Sequence, residues 1–429
     1  MRLRAQASKL LRAGFFHIFG ASTLNKALTF LCGVFVVRIL TKADYGVYSY
    51  AYNEFNMILL FNGLGATSAL LQMGSEDPDP ARVGALSRYG FKAGLTFDVA
   101  LILCVLAFIV LVPSSIPGSG FILALFLVFL VPQFLVEMQM TLLRVQFRNR
   151  AFSWATNINT VLIVGASLGG AVLLGSMGLV NGRNVAEVLC LVIICALFRV
   201  PSLRPDPADK VALSKDDRAS FLKIAVVSAV NNGLGQLTYL IGTVSVGALL
   251  ADAEAVATYQ AATVIPTALN FVPVALMTFA YPYFARHHRE PRWILSNFKR
   301  LLLGASLLAG GITALCLVLA PQIVTFVYGA NYIEAVESFR ILMLGFFVAS
   351  TLRIICGNLL VSQRKLLFNT ATSVATAAVL PVLNFFLIPA LGIVGAAWAQ
   401  VVVIAATGIA NTVYFLHVIH AIPTEEHAA

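Results

Sequence analysis

The chain has 429 residues, 59% of them hydrophobic and only 11% charged, with a formal net charge of +10 and a mean hydropathy of +0.88. That balance excludes a water-soluble globular domain, whose surface needs far more polar residues. It also excludes a membrane β-barrel, because runs such as Leu101 to Val112 and Leu301 to Ala320 do not alternate apolar with polar residues as barrel strands must.

What remains is an all-α polytopic membrane protein with about twelve transmembrane helices, each needing about 20 apolar residues. The apolar runs lie near residues 14–37, 46–72, 91–112, 120–143, 152–176 and 184–200 in the first half. In the second half they lie near 221–250, 255–284, 299–320, 338–361, 367–388 and 392–417. The opening residues, MRLRAQASKLLRAGFF, begin like a signal peptide, but Asn25 and Lys26 interrupt the run and no small-residue cleavage site follows. The segment is therefore expected to be retained as span one.

Span one carries Ser22, Lys26, Thr29 and Gly33 at a spacing that places them on one helical face. A charge at mid-bilayer costs roughly 2.5–3.5 kcal/mol on insertion scales, so this face must meet protein or water. Lys26 is a candidate anion ligand; the alternative is a structural ion pair with Glu54 or Asp98. Span two adds Ser49, Asn53, Asn56 and Gly63 on one face, with Glu54 beside it.

The stretch from Leu28 to Ala51 returns without gaps as Leu237 to Gln260: Leu28 pairs with Leu237, Thr29 with Thr238, Gly33 with Gly242, Leu40 with Leu249 and Tyr50 with Tyr259. Such self-similarity indicates an internal repeat. Each copy reads as an apolar run, a polar corner and another apolar run, the elbow of a helical hairpin. Two pseudo-symmetric six-helix lobes follow, residues 1–205 and 221–429, joined by a Pro-rich, mixed-charge linker at 206–220. In the second half the span-one face reappears as Asn231, Gly235, Thr238 and Gly242, without its cation. Span eight answers span two with Gln260, Thr263, Thr267 and Asn270, interrupted by Pro266 and Pro273. A polar cavity between the lobes accounts for all four stripes; close helix packing through interhelical hydrogen bonds is the alternative.

Most of the 29 Lys and Arg fall in alternate connections, which makes both termini cytoplasmic by the positive-inside rule. Arg38, Lys42, Arg183 and Arg340 are then left outside, and Glu187 belongs to the outer interface. Asp98 and Glu137 read as structural partners or proton carriers. The basic segment from Ala285 to Arg300 reads as an interfacial helix with Trp293 among headgroups, and its His287 and His288 as solvated. The net positive charge suits anionic lipid, not nucleic acid.

Several chemistries lack their residues. There is no phosphate-binding GxxxxGK[ST] loop and no HExxH, and NGLGATS at Asn62 to Ser68 ends a membrane helix, where it suits a tight helix contact. All six cysteines lie in apolar runs without metal spacing, so no disulfide framework, metal or cofactor is expected. Transport accounts for the chain better than catalysis.

The segments RILTKADYGVYSYAY (Arg38 to Tyr52) and GLGATSALLQ (Gly63 to Gln72) resemble the first hairpin of the O-antigen-flippase-like polysaccharide exporters within the multidrug/oligosaccharidyl-lipid/polysaccharide superfamily. FVYGANYIEAVESFRIL (Phe326 to Leu342) is similar to that family's outer loop before span ten. LNFFLIPALGIVGAAWAQ (Leu383 to Gln400) is similar to its corner between spans eleven and twelve. The resemblance implies a bundle that opens alternately to each side and carries an undecaprenyl-pyrophosphate-linked oligosaccharide to the periplasmic leaflet. It further implies work alongside glycosyltransferases and a polysaccharide polymerase. On that reading Lys26, Arg38 and Arg353 attract the pyrophosphate, and Ser22, Thr29, Asn53, Asn56, Asn231 and Gln260 suit sugar hydroxyls. Glu54 and Asp98 are the candidates for ion coupling. The competing readings are an ion-coupled multidrug exporter, whose cavity should be acidic, and a membrane-embedded glycan polymerase or ligase, which should carry a large outer loop.

Overall fold

The computed structural model describes residues 15–77, 79–198 and 213–421, and all the regular structure among them is helical. Among these described residues, nine helices are long and apolar enough to cross a membrane. The chain forms two compact units, Met1–Gly233 and Leu234–Ala429.

In the first unit α1 spans Phe15–Ile39 and α2 Lys42–Leu59. The elbow between them is fixed by local chemistry. Thr41 caps α2 by accepting from the Asp44 amide at 3.1 Å and donates its hydroxyl to the Asp44 carboxylate at 2.7 Å, so one of the orphaned donors of the helix is satisfied. Span two does not end at NGLG, as the sequence suggested. It breaks there and resumes as α3, Ala66–Glu76, because Gly63, Leu64 and Gly65 take three successive left-handed conformations, with φ of 60°, 52° and 74°. The predicted tight contact is present, since a β-carbon on Gly63 would enter the Phe134 ring and one on Gly65 would enter the Ala225 carbonyl.

Helix α4, Pro80–Leu111, starts with Asp79 as its cap, accepting from Arg82 N at 3.0 Å, and a proline in its first turn, a favourable start because proline has no amide hydrogen to leave unpaired. Helix α5 covers Ser119–Val145 and α6 Asn149–Phe198. Within α6 the backbone reverses at Leu174 and Gly175 (φ 61°, ψ −140°), a conformation open to glycine but not to side-chain-bearing residues. Gly170 and Gly178 then lie against each other's carbonyls, as does Gly182 against that of Ala166. The 50-residue helix is thus a hairpin of two closely packed legs. That geometry corrects one sequence expectation: Arg183 lies not in a loop but about two turns into the second leg, with Glu187 one turn further on.

Helix α7, Lys215–Leu250, begins in the first unit. Phe221 fills the space beside Gly90, and Arg82 reaches both Asp77 at 3.3 Å and Asp217 at 3.2 Å. The division between the units falls inside this helix, at Gly233 and Leu234.

In the second unit the repeat is folded the same way, with α7, a corner capped by Asp252 accepting from Glu254 N at 2.9 Å, and then α8, Ala253–Leu269. In the register that pairs Leu28 with Leu237, the span-two break at Phe61 falls on Asn270, where α8 gives way to α9, Phe271–Arg286. Pro273 lacks the amide hydrogen that would bond back to Leu269 across this point. Helix α10 is Pro291–Val318, α11 Ala320–Tyr328, α12 Ala335–Val348 and α13 Ile354–Ser362, with a π-helical turn at Ala349–Arg353 between the last two. Trp293 is packed between the Phe284 ring and the stacked His287 ring, 4.1 Å away, so it supports the α9–α10 corner. The last helix, α14, Leu366–His420, is a second hairpin reversing at Gly392 (φ 60°, ψ −140°). Its legs are joined by the Thr376 and Thr407 hydroxyls at 2.7 Å and by Thr372 donating to Asn411 at 3.3 Å.

Candidate functional site

At the α8–α9 break the second unit has a small, partly open pocket with about 20 Å³ of water-accessible volume. Tyr239 from α7, Thr263, Thr267 and Asn270 from α8 and its end, and Gln400 from α14 are the polar residues that line it. Leu342, Phe346 and Ile404 supply its apolar walls, and none of its lining residues is charged. The side chains are held from behind. Tyr259, fully buried, donates its hydroxyl to Gln400 Oε1 at 3.0 Å, Thr263 donates to the Gln260 carbonyl at 2.8 Å, and Thr243 donates to Gln260 Oε1 at 3.0 Å. The Asn270 side-chain carbonyl has no hydrogen-bond partner. A buried acceptor left in that state costs about 1–3 kcal/mol.

The polar stripe of span seven, which lacks a cation of its own, receives one from another helix. Arg353 ends the π-helical turn and donates to Thr238 Oγ1 at 3.2 Å and Tyr239 Oη at 3.3 Å, with its guanidinium 5.6 Å from the Tyr239 ring centroid. The turn is supported on both sides. Thr351 bonds back to the Phe347 carbonyl at 2.8 Å, and Gly408 of α14, lacking a β-carbon, approaches the backbone of Arg353. Widened turns of this kind concentrate at functional sites because they rotate side chains off the regular helical register. Among the described residues no carboxylate lies within ion-pair distance of Arg353. It is a partly buried positive charge held only by neutral groups. Tyr239 is shared, touching Arg353 on one side and lining the pocket on the other.

In the first unit the sequence-predicted residues are more scattered. Lys26 and Thr29 are exposed on α1, and Arg38 is exposed in its last turn, where a cation favours the helix C-terminus. The ion pair considered for Lys26 is not formed with either carboxylate: Glu54 is engaged by Tyr50, and Asp98 accepts the Gly63 amide at 2.7 Å. Asn53 and Asn56 donate to the carbonyls of Ser49 and Tyr52 on their own helix, at 2.8 and 2.6 Å. The side chains of Ser22 and Asn231 lie outside the described residues.

Three polar contacts escaped the sequence reading. Arg183 places its guanidinium over Phe129 (4.6 Å) and Tyr52 (5.4 Å) with Glu187 one turn further along. Its setting in GLVNGRN looked like a loop; only the reversal at Gly175 puts it inside a helix. Tyr239 and Gln400 sit within the repeat and the span-twelve motif that sequence reading did single out, but neither copy marks them as polar partners.

Known proteins resemble this chain along most of its length. The family described as polysaccharide biosynthesis protein matches residues 11–288. The EPS I polysaccharide export inner membrane protein EpsE of Ralstonia solanacearum is 22% identical over 338 residues, 75% of this chain and 74% of that protein. Among solved structures, the lipid II flippase MurJ in an inward closed conformation superposes with a TM-score of 0.72 at 13% identity, over 95% of this chain and 88% of that one. An inward-facing multidrug resistance MATE family transporter of the MOP superfamily gives 0.71 at 12% identity, over 93% and 95%.

Proposed function

The chain belongs to the polysaccharide biosynthesis protein family, and from that premise we propose that it is a flippase. Its cargo is a lipid-linked oligosaccharide, moved from the cytoplasmic to the periplasmic leaflet of a bacterial inner membrane for exopolysaccharide, capsule or O-antigen assembly. In this reading both termini are cytoplasmic, an orientation supported by the bias of Lys and Arg among the connections.

The observation that carries this reading is Arg353, an intramembrane cation whose partners are two hydroxyls and an aromatic face. A charge retained in a membrane span at that cost is functional by default, and a guanidinium without a carboxylate is suited to accept an anion such as a pyrophosphate, which it can bind through paired N–H donors. The residues lining the adjoining pocket carry no carboxylate, which suits an anionic cargo better than a cationic drug. The first unit carries exposed cations of its own, Lys26 and Arg38. Carrying the cargo across needs no covalent step. The protein binds the headgroup in place of water, and alternating access exposes it first to one side and then to the other.

The test is deletion of the gene followed by leaflet-resolved detection of lipid-linked oligosaccharide, with complementation by wild type and by Arg353→Ala. Accumulation on the cytoplasmic side, relieved by wild type but not by the variant, is the expected result. Normal flipping in the deletion strain, with unpolymerised product outside, would refute the proposal and favour a polymerase or ligase.

A further inference from the structure

The corners that end α5 and α13 are built alike, and each places exposed side chains at its two most constrained positions. We infer that each corner is a binding site for the headgroup of an anionic phospholipid, one site in each unit. Such sites concern the surrounding bilayer, not the cargo, and they stand or fall apart from the flippase reading.

Leu142, Leu143 and Gln146 recur as Leu359, Leu360 and Gln363, and the residues that follow close both helices with the same pair of bonds. The Phe147 amide donates to the Arg144 carbonyl at 2.9 Å and the Arg148 amide to that of Leu143 at 2.9 Å. In the second unit the Arg364 amide donates to the Val361 carbonyl at 2.9 Å and the Lys365 amide to that of Leu360 at 2.9 Å. This helix ending requires a left-handed residue, usually glycine, and is commonly reinforced by an apolar residue after it that packs back on the last turn. Neither corner makes those choices. Phe147 (φ 55°) and Arg364 (φ 60°) take the left-handed position, and the cations Arg148 and Lys365 follow them. A local rule broken twice at equivalent places marks positions kept for what they display, not for the stability of the turn.

What they display is positive charge beside exposed apolar surface. At the first corner Arg144, Arg148 and Arg150 are exposed. Arg148 is held by the Phe198 carbonyl at 2.9 Å and Arg144 lies over the Phe152 ring at 5.5 Å. Arg150 stands one turn before Trp154 on the same face of α6, and Phe147 and Trp154 are 71% and 65% exposed. At the second corner Arg364 and Lys365 stand beside Leu367, which is 86% exposed. Among the described residues none of these cations is in an ion pair. The sequence has no Asp or Glu between Glu137 and Glu187, or between Glu337 and Glu425, so the complementary charge comes from outside the chain. A soluble phosphate would satisfy the cations and leave the apolar side chains in water. A phospholipid offers phosphate where the helix ends and acyl chain just inside it, the setting that basic and aromatic residues at a membrane boundary fit.

The test uses the full-length protein with Trp293→Phe and Trp398→Phe, which leaves Trp154 as its one tryptophan. It is reconstituted in phosphatidylcholine bilayers containing brominated phosphatidylglycerol or brominated phosphatidylcholine. Quenching of Trp154 should give phosphatidylglycerol about a fivefold higher relative affinity, the effect of one cation at an anionic headgroup. That preference should vanish in Arg144→Gln/Arg150→Gln. At the second corner, adding Trp154→Phe and Leu367→Trp should report the same preference, abolished by Arg364→Gln/Lys365→Gln. Phe147→Gly should melt no lower than wild type, because glycine adopts the left-handed backbone without strain. Equal quenching by the two lipids at either corner, a preference that survives the double variants, displacement by inorganic pyrophosphate, or a lower melting temperature for Phe147→Gly would overturn the assignment.

Discussion

Asp98 offers the sharpest separation of a structural role from a transport role. It is fully buried, its Oδ1 accepts the Gly63 amide at 2.7 Å, and that amide lies in the left-handed interruption of span two. A helix interrupted at this point strands backbone donors that lipid cannot satisfy. Replacing Asp98 by Ala removes the acceptor and leaves a buried N–H unpaired. Hydrogen bonds to charged groups contribute about 1.5–3 kcal/mol, which is roughly a 10- to 150-fold change in the folding equilibrium. Relief from burying a carboxylate works in the opposite direction, so the lower half of that range is expected. Asp98→Asn keeps an acceptor oxygen of the same reach and should cost less than about 1 kcal/mol. Unfolding of the purified protein by SDS in mixed micelles reads both values, and leaflet-resolved transport is measured on the same variants. If Asp98→Asn proved as destabilising as Asp98→Ala, the acceptor at Gly63 would not be what holds the break, and the reasoning would fail. A stable Asp98→Asn protein that no longer transports would instead assign the carboxylate to ion coupling.

Other expectations follow from the same packing. Lys26→Ala should leave stability within about 0.5 kcal/mol, as for an exposed residue, while reducing flipping if the amine meets the headgroup; full complementation by the variant would remove Lys26 from the site. Arg353→Lys keeps the charge but cannot serve Thr238 and Tyr239 as a planar fork, so its flipping rate should fall between those of wild type and Arg353→Ala, and a rate equal to wild type would show that charge alone matters. Gly94→Ala would drive a methyl into the Phe134 ring, which is itself completely buried, at a cost of about 1–3 kcal/mol. Combining it with Phe134→Leu should recover part of that loss, and strict additivity in a double-mutant cycle would argue against the contact.

What the amino-acid order determined is what lipid reads one helix at a time. Apolar run length identified a polytopic helical membrane protein, the bias of Lys and Arg among the connections gave the expected orientation, and the second copy of the Leu28 elbow anticipated a second capped corner at Asp252. Even the NGLG contact was legible, because glycines in an apolar run have few other uses, although its mid-span position was not. Tertiary structure decided which faces meet. Arg353 bonds Thr238 across 115 positions, Asp98 reaches Gly63 across 35, and Tyr259 holds Gln400 across 141. None of these follows from periodicity, which gives the face of a helix but not its partner. Arg183 shows the same limit: one glycine conformation at 175 moved it from an expected loop into a helix beside Tyr52 and Phe129. In a membrane the solvent outside the bundle is as apolar as the packing inside, so hydrophobicity cannot rank the alternatives; close backbone approach at small residues and hydrogen bonds between spans do.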